Sequence, residues 1–265
     1  MSSKLQFALL LPLATLVGCS LPPATSSSTS TAPTGEWTNW QIQAGTAITS
    51  PPNTYPSFLG ALQLQGTQAA GVFTTVVAAG ASGGALDYSG DFNSSTGTVE
   101  LTAQGFEFEF AEPATPNTLT QVGVTGGCVG DPPPACLAIF TSPSVGVQIA
   151  PISGAYAGTL TASTEGDSGQ ATLSITQSTT PNADGSFSLT GTITFPAGSG
   201  LGTYPLGGTI GGEGIILYDP TPGIVPVVSL TASTNPAATQ IVVGNLAFAV
   251  TASNIVTFTG TLTRQ

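Results

Sequence analysis

The chain is predicted to be all-β, with two antiparallel β-meander modules, each a small barrel or sandwich, behind a disordered N-terminal tether. Three observations predict this. Apolar and hydroxyl residues alternate with period two along much of the chain, as in strands with one face on a core and the other in water. The composition includes 34 Gly and 21 Pro among 265 residues, which long helices would not tolerate. Clusters of Gly, Asn, Asp and Ser separate the alternating runs at hairpin-like intervals.

The N-terminal stretch differs from the rest. Lys4 precedes an apolar run from Leu5 to Leu16, about a dozen residues interrupted by Pro12. A bilayer-spanning helix needs about 20 apolar residues, so this run is too short for a permanent span. It ends in Leu16-Val17-Gly18-Cys19. These four positions resemble the lipobox of bacterial lipoproteins. The resemblance implies that residues 1–18 are a signal peptide removed by the lipoprotein signal peptidase, and that Cys19 is acylated. Several acyl chains on one cysteine would make the membrane anchor effectively permanent, because each buried methylene contributes about 0.8 kcal/mol. Ser20 stands where an Asp often marks inner-membrane retention in Gram-negative lipoproteins, so the resemblance favours the outer membrane. From Cys19 to Gly35 the chain is mostly Ser, Thr, Pro and Ala, a composition that cannot build a core and reads as a flexible tether.

Two modules of roughly 110 residues follow, spanning residues 36–150 and 151–265, each near the usual size of a domain. The boundary is placed at Ala150-Pro151 because Ile152-Ser153-Gly154-Ala155-Tyr156 opens a fresh strand pattern, as Gly35-Glu36-Trp37 does after the tether. In the second module Tyr156, Gly158 and Leu160 alternate with Thr159 and Thr161, and Leu173 and Ile175 with Thr172, Ser174 and Thr176. Phe187, Leu189, Gly191, Ile193 and Phe195 alternate with Ser and Thr, and the last run sets Val256, Phe258, Gly260 and Leu262 against four Thr. A unit of apolar, any, Gly, any, apolar recurs around Gly60, Gly90, Gly158, Gly191, Gly208 and Gly260. Glycine between two large residues on an inward face permits strong coiling and close backbone approach, as a tightly curved sheet requires. Asn182 to Gly185 and Ser253-Asn254 read as hairpin turns, as does Glu165 to Gly169. The patterning is similar to that of Thr/Gly-rich lipoproteins whose ectodomains carry tandem β modules, a group that brings no activity with it.

Charge and cysteine content exclude several functions. Once Lys4 leaves with the leader, Arg264 is the only basic side chain against 13 carboxylates, so nucleic-acid binding is not expected. A polybasic membrane patch is equally unsupported, and membrane partnership falls to the lipid on Cys19. Cys128 and Cys136 flank Val-Gly-Asp-Pro-Pro-Pro-Ala and are expected to form a disulfide in an oxidising compartment, contributing roughly 2–3 kcal/mol.

Catalytic chemistry is scarce. Histidine is absent, which removes the Ser-His-Asp and Cys-His arrangements and His-containing zinc sites. No mature lysine exists for Schiff-base chemistry, and no cofactor is expected. What remains is carboxylate chemistry. Glu107 and Glu109 alternate with Phe106, Phe108 and Phe110, which reads first as an amphipathic strand and second as a carboxylate pair about 7 Å apart. Asp87, Asp91 and Asn93, or Asp167 or Asp184, could offer oxygens to Ca²⁺, although such residues serve turns more often. Trp37, Trp40 and Tyr55 could form an aromatic platform for a sugar, although they more often close a core. The expected protein is a non-enzymatic, lipid-anchored envelope protein with a β-rich binding or structural ectodomain. The alternatives are a glycan hydrolase using two of Glu36, Glu100, Glu107, Glu109 and Glu213, and a lipocalin-like carrier of an apolar ligand.

Overall fold

A computed structural model describes residues 35–43, 47–48, 57–76, 82–93, 95–103, 106–111, 117–125, 139–140, 145–163, 168–197, 199–221, 227–251 and 254–265. Among these the chain is all-β, without helix. The first half contains β1 (Trp37–Gln43), β2 (Ala47–Ile48), β3 (Ser57–Gln65), β4 (Gln68–Val76), β5 (Ser82–Asn93) and β6 (Thr98–Ala103). It continues with β7 (Phe106–Ala111), β8 (Thr118–Thr125), β9 (Ile139–Phe140) and β10 (Val145–Ile149). The second half contains β11 (Gly154–Ala162), β12 (Ser168–Pro181), β13 (Phe187–Thr194) and β14 (Thr203–Gly211). It ends with β15 (Gly214–Tyr218), β16 (Val227–Thr234), β17 (Gln240–Thr251) and β18 (Asn254–Arg264).

Each half closes into an eight-stranded antiparallel barrel. The first runs β1-β3-β4-β5-β6-β7-β8-β10 and closes by pairing β10 with β1; β2 and β9 leave the wall and pair with each other. The second runs straight from β11 to β18 and closes by pairing those two strands. Of the two architectures open from patterning, the barrel is the one adopted. Closure removes the unpaired sheet edges that a Thr-rich, low-charge sandwich would expose.

The alternation holds strand by strand. Along β13, Phe187, Leu189 and Ile193 are buried while Ser188, Thr190, Thr192 and Thr194 are exposed. Every strand of the second barrel sends a large side chain inward: Tyr156, Leu173, Leu189, Leu206, Leu217, Leu230, Leu246 and Leu262 are each at most 2% exposed. At the end with the β13–β14 connection, Phe248 packs edge-on to Phe195, Tyr204 and Phe258. An eight-stranded barrel is just wide enough for side chains to fill, and these fill it. The first barrel has its own cluster of Trp40, Ile42, Leu62, Phe73, Tyr88, Val99, Leu101 and Leu119.

The recurrent glycines explain how so narrow a barrel accommodates those side chains. Cross-strand register places Gly191 between Ile175 and Leu206, Gly208 between Leu189 and Leu217, and Gly60 between Trp40 and Phe73. Each of these six inward residues lies beside a position with no side chain. Backbone approaches of the same kind mark the closing seam of the second barrel. A Cβ on Gly158 would overlap the Thr261 carbonyl oxygen of β18, and one on Gly260 would overlap the Thr159 carbonyl oxygen of β11. Arg264 finishes the seam: its Nη2 donates to the Ser153 carbonyl at 2.6 Å, and its guanidinium lies 5.9 Å from the centre of the Tyr156 ring.

The two barrels belong to one compact unit. The short connection between them is held rather than free. Ala150 N–H donates to the Pro236 carbonyl, Ile152 N–H to the Gln177 side chain, and the Gln177 N–H to Ser153 Oγ. Ile152 itself is fully buried in the core of the second barrel.

Candidate functional site

Buried polar chemistry concentrates where the barrels meet. The β12–β13 and β14–β15 turns of the second barrel rest against the outer wall of the first, over β1, β3 and β4. Asn39 is only 2% exposed and grips one residue of the opposing turn. Its Nδ2 donates to the Gly212 carbonyl at 2.8 Å and its Oδ1 accepts from the Gly212 N–H at 2.9 Å. Gln41 Oε1 accepts from Glu213 N–H at 3.0 Å, and Thr74 Oγ1 donates to the Asp184 carbonyl at 2.7 Å. Gly212 turns with φ of +56° and Gly185 with φ of +81°, and a Cβ on Gly185 would overlap the Val72 carbonyl oxygen. Between these bonds, Ala61 and Trp37 of the first barrel join the apolar core of the second. Gln63, also buried, donates its Nε2 to the Gly35 carbonyl. The arrangement is well suited to holding two barrels at a fixed angle. It brings no nucleophile and base together.

The candidate acids are scattered. Glu36 is exposed just before β1, and Glu213 lies in the turn at the junction. Glu100 is exposed on β6, which is four strands from β1 in either direction around the barrel, so it stands on the far side from Glu36 and Glu213. Register does align three acids: Glu100 is paired with Asp91 of β5 on one side and with Glu109 of β7 on the other. Glu107 is paired with Thr102. Asp91 and Glu100 are exposed on the convex outside of the barrel, whereas a glycosidase pair converges in a cleft across the sugar. This acidic row escaped the sequence because strand register is not a local property.

The oxygens considered for Ca²⁺ are used locally in two cases. Asn93 Oδ1 accepts from the Ser95 and Thr96 N–H groups, and Asp184 Oδ1 accepts from the Ser186 N–H and hydroxyl. Both are turn-forming contacts. Among the described residues no group of three His, Cys, Asp or Glu side chains is placed to hold a metal ion.

The two tryptophans pack on apolar cores, as the favoured reading of them expects, rather than forming a sugar platform. Trp37 and Trp40 lie on opposite faces of β1. Trp40 is buried inside the first barrel with its Nε1 donating to Thr38 Oγ1 at 2.7 Å, and Trp37 packs outward on the core of the second. Odd spacing along a strand forces this separation, and the signal was present in the sequence. Tyr55 and Asp167 lie outside the described residues, as do Cys19, Cys128 and Cys136.

Two tyrosines have shifted acidity. Burial pushes the Tyr88 phenol up to about 12; its ring meets Phe73 edge-on at 5.8 Å. Burial also raises Tyr156, opposed by the nearby positive charge of Arg264, while the Tyr156 hydroxyl donates to the Ala238 carbonyl at 2.9 Å. Both belong to the apolar cores, Tyr156 to that of the second barrel and Tyr88 to that of the first.

Compared with known proteins, the chain matches no family model, and no curated protein or solved structure matches it significantly.

Proposed function

We propose that this chain is an extracytoplasmic lipoprotein held to a membrane, favouring the outer membrane, by an acylated Cys19. Its two barrels would serve as a non-catalytic binding or structural ectodomain. The observation that carries the non-catalytic reading is the side-chain-filled interior of the second barrel, combined with exposed acids on a convex wall. A filled barrel leaves the space between its strands to apolar packing, which also weighs against the carrier reading. The junction built around Asn39 supports a structural role, because it gives an ectodomain of two parts a fixed spacing. The anchor rests on Leu16-Val17-Gly18-Cys19 and on their place at the end of the apolar run.

The test of the anchor is growth of producing cells with a labelled fatty acid, with mass measurement of the product. Label on the parent chain, its loss in Cys19→Ala, and a mature chain beginning at residue 19 are expected. An unlabelled parent chain, or one retaining residues 1–18, overturns the anchor. For the ectodomain, Glu36, Glu100, Glu107, Glu109 and Glu213 are each replaced by Gln and polysaccharide turnover is measured. A substitution that abolishes a measurable turnover overturns the non-catalytic reading.

A further inference from the structure

The outside of the second barrel has two unlike flanks. Over β12 and β13 the exposed positions are almost all hydroxyl-bearing, from Thr172, Ser174 and Thr176 to Ser188, Thr190, Thr192 and Thr194. Over β15 to β18, four large apolar side chains stand exposed toward one end, while Val242 is a single exposed apolar residue toward the other. Ile216, Tyr218, Val227 and Ile255 are 58%, 54%, 54% and 50% exposed. Register makes them neighbours. Val227 is paired with Ala249, which is paired with Ile255; Tyr218 is paired with Ser229, two residues from Val227 on the same face of β16; Ile216 lies two residues before Tyr218 on the same face of β15. This collar borders the β15–β16 and β17–β18 connections, at the opposite end of the barrel from the turns that meet the first barrel. The charged side chain among its described neighbours is Asp219, whose Oδ1 accepts from the Thr221 N–H at 2.8 Å.

We propose that this collar rests on the surface of a phospholipid bilayer. In its geometry the proposal relies on the anchor at Cys19; as a surface property it does not. Large apolar side chains beside a tyrosine and serine and threonine hydroxyls match the bilayer interface, where apolar groups enter the acyl boundary and hydroxyls meet headgroups. Reach is sufficient. Gly35 is tied to Gln63 beside the barrel junction, and the 16 residues from Cys19 to residue 34 span at most roughly 50 Å. A strand the length of β17, tilted as in an eight-stranded barrel, makes the barrel roughly 30 Å tall. A lipid on Cys19 can therefore hold the chain while the far end of the second barrel touches the same bilayer. A second copy is a poorer occupant, because each carries 13 carboxylates against one mature arginine and two copies repel.

The experiment uses the chain from Ser20 to Gln265, which keeps every strand of both barrels but not the anchor cysteine, mixed with phosphatidylcholine vesicles and sedimented. The parent chain is expected to partition onto the vesicles with a coefficient insensitive to sodium chloride. Combined Ile216→Ser, Tyr218→Ser, Val227→Ser and Ile255→Ser lowers that coefficient at least tenfold, with an unchanged melting temperature since all four point outward. Should the combined variant fail to fold, Val227→Ser and Ile255→Ser are read singly, each with a two- to threefold loss. Val242→Ser, exposed at the other end of the barrel, leaves partitioning unchanged. No partitioning by the parent chain overturns the proposal, and so does a self-association in solution that the combined variant abolishes. Failure here with fatty-acid labelling at Cys19 intact sinks the collar alone; partitioning without labelling sinks the anchor alone.

Discussion

Replacing Asn39 by alanine removes two hydrogen bonds from the place where the barrels meet. Both involve Gly212, at 2.8 and 2.9 Å, and Asn39 is only 2% exposed. The loss strands the N–H and the carbonyl of one buried turn residue, Gly212, which the Leu59 and Gln41 side chains border. A buried polar group without a partner costs about 1–3 kcal/mol, so Asn39→Ala is expected to cost about 2–4 kcal/mol, with water entering the vacated space limiting the upper end. Denaturant unfolding followed by tryptophan emission reads this directly. The chain has two tryptophans, and both are on β1: Trp37 against the second barrel and Trp40 inside the first. Asn39→Asp sharpens the test. An ionised carboxyl still accepts from the Gly212 N–H but sets a negative charge against the Gly212 carbonyl; a protonated one can donate to it. Burial and that carbonyl raise the folded pKa of the introduced carboxyl above the ordinary value of about 3.9. Its favourable contribution is therefore present below about pH 4 and is lost as pH rises through the raised folded value. A cost below 0.5 kcal/mol for Asn39→Ala refutes the argument, as does an Asn39→Asp penalty equal at pH 3.5 and pH 8.

Gly158→Ala is expected to cost about 3 kcal/mol, since its Cβ meets the backbone of β18 rather than a yielding side chain; Gly169→Ala, with open space around it, stays within about 0.5 kcal/mol in the same melting experiment. With the Tyr88 phenol raised to about 12, stability is fully present below pH 10 and falls by about 2–3 kcal/mol as pH climbs to 12. Tyr156, raised by the same cause, acts in the same direction, and Tyr88→Phe should remove the larger share of the slope in denaturant midpoints measured from pH 8 to 12. Arg264→Met gives up the Ser153 bond and the contact with the Tyr156 ring, lowering stability by about 1 kcal/mol in thermal melts, and Arg264→Lys recovers part of it.

Particular residues show how far local patterning reaches. Thr190, Thr192 and Thr194 declare an outward face because a strand alternates with period two, whatever it pairs with. Gly60, Gly158, Gly191 and Gly208 were legible for a related reason: where a neighbouring strand's backbone occupies the space of a side chain, glycine is the residue that fits. Asn39 and Gly212 were not legible. One looks like an ordinary polar strand position and the other like an ordinary turn, and 173 residues separate them. The row of Asp91, Glu100 and Glu109 was hidden likewise, since each acid belongs to a different strand.

Strand content, the apolar inner face, the turns and the glycine spacing all follow from interactions between residues a few positions apart, and such interactions are written in order along the chain. Closure into two barrels, the pairing that lines up carboxylates, the grip of Asn39 on a distant turn and the gathering of Ile216, Tyr218, Val227 and Ile255 into one collar depend on register and docking. Those are settled by contacts between segments remote in the chain, which compete in three dimensions and leave no periodic trace in one.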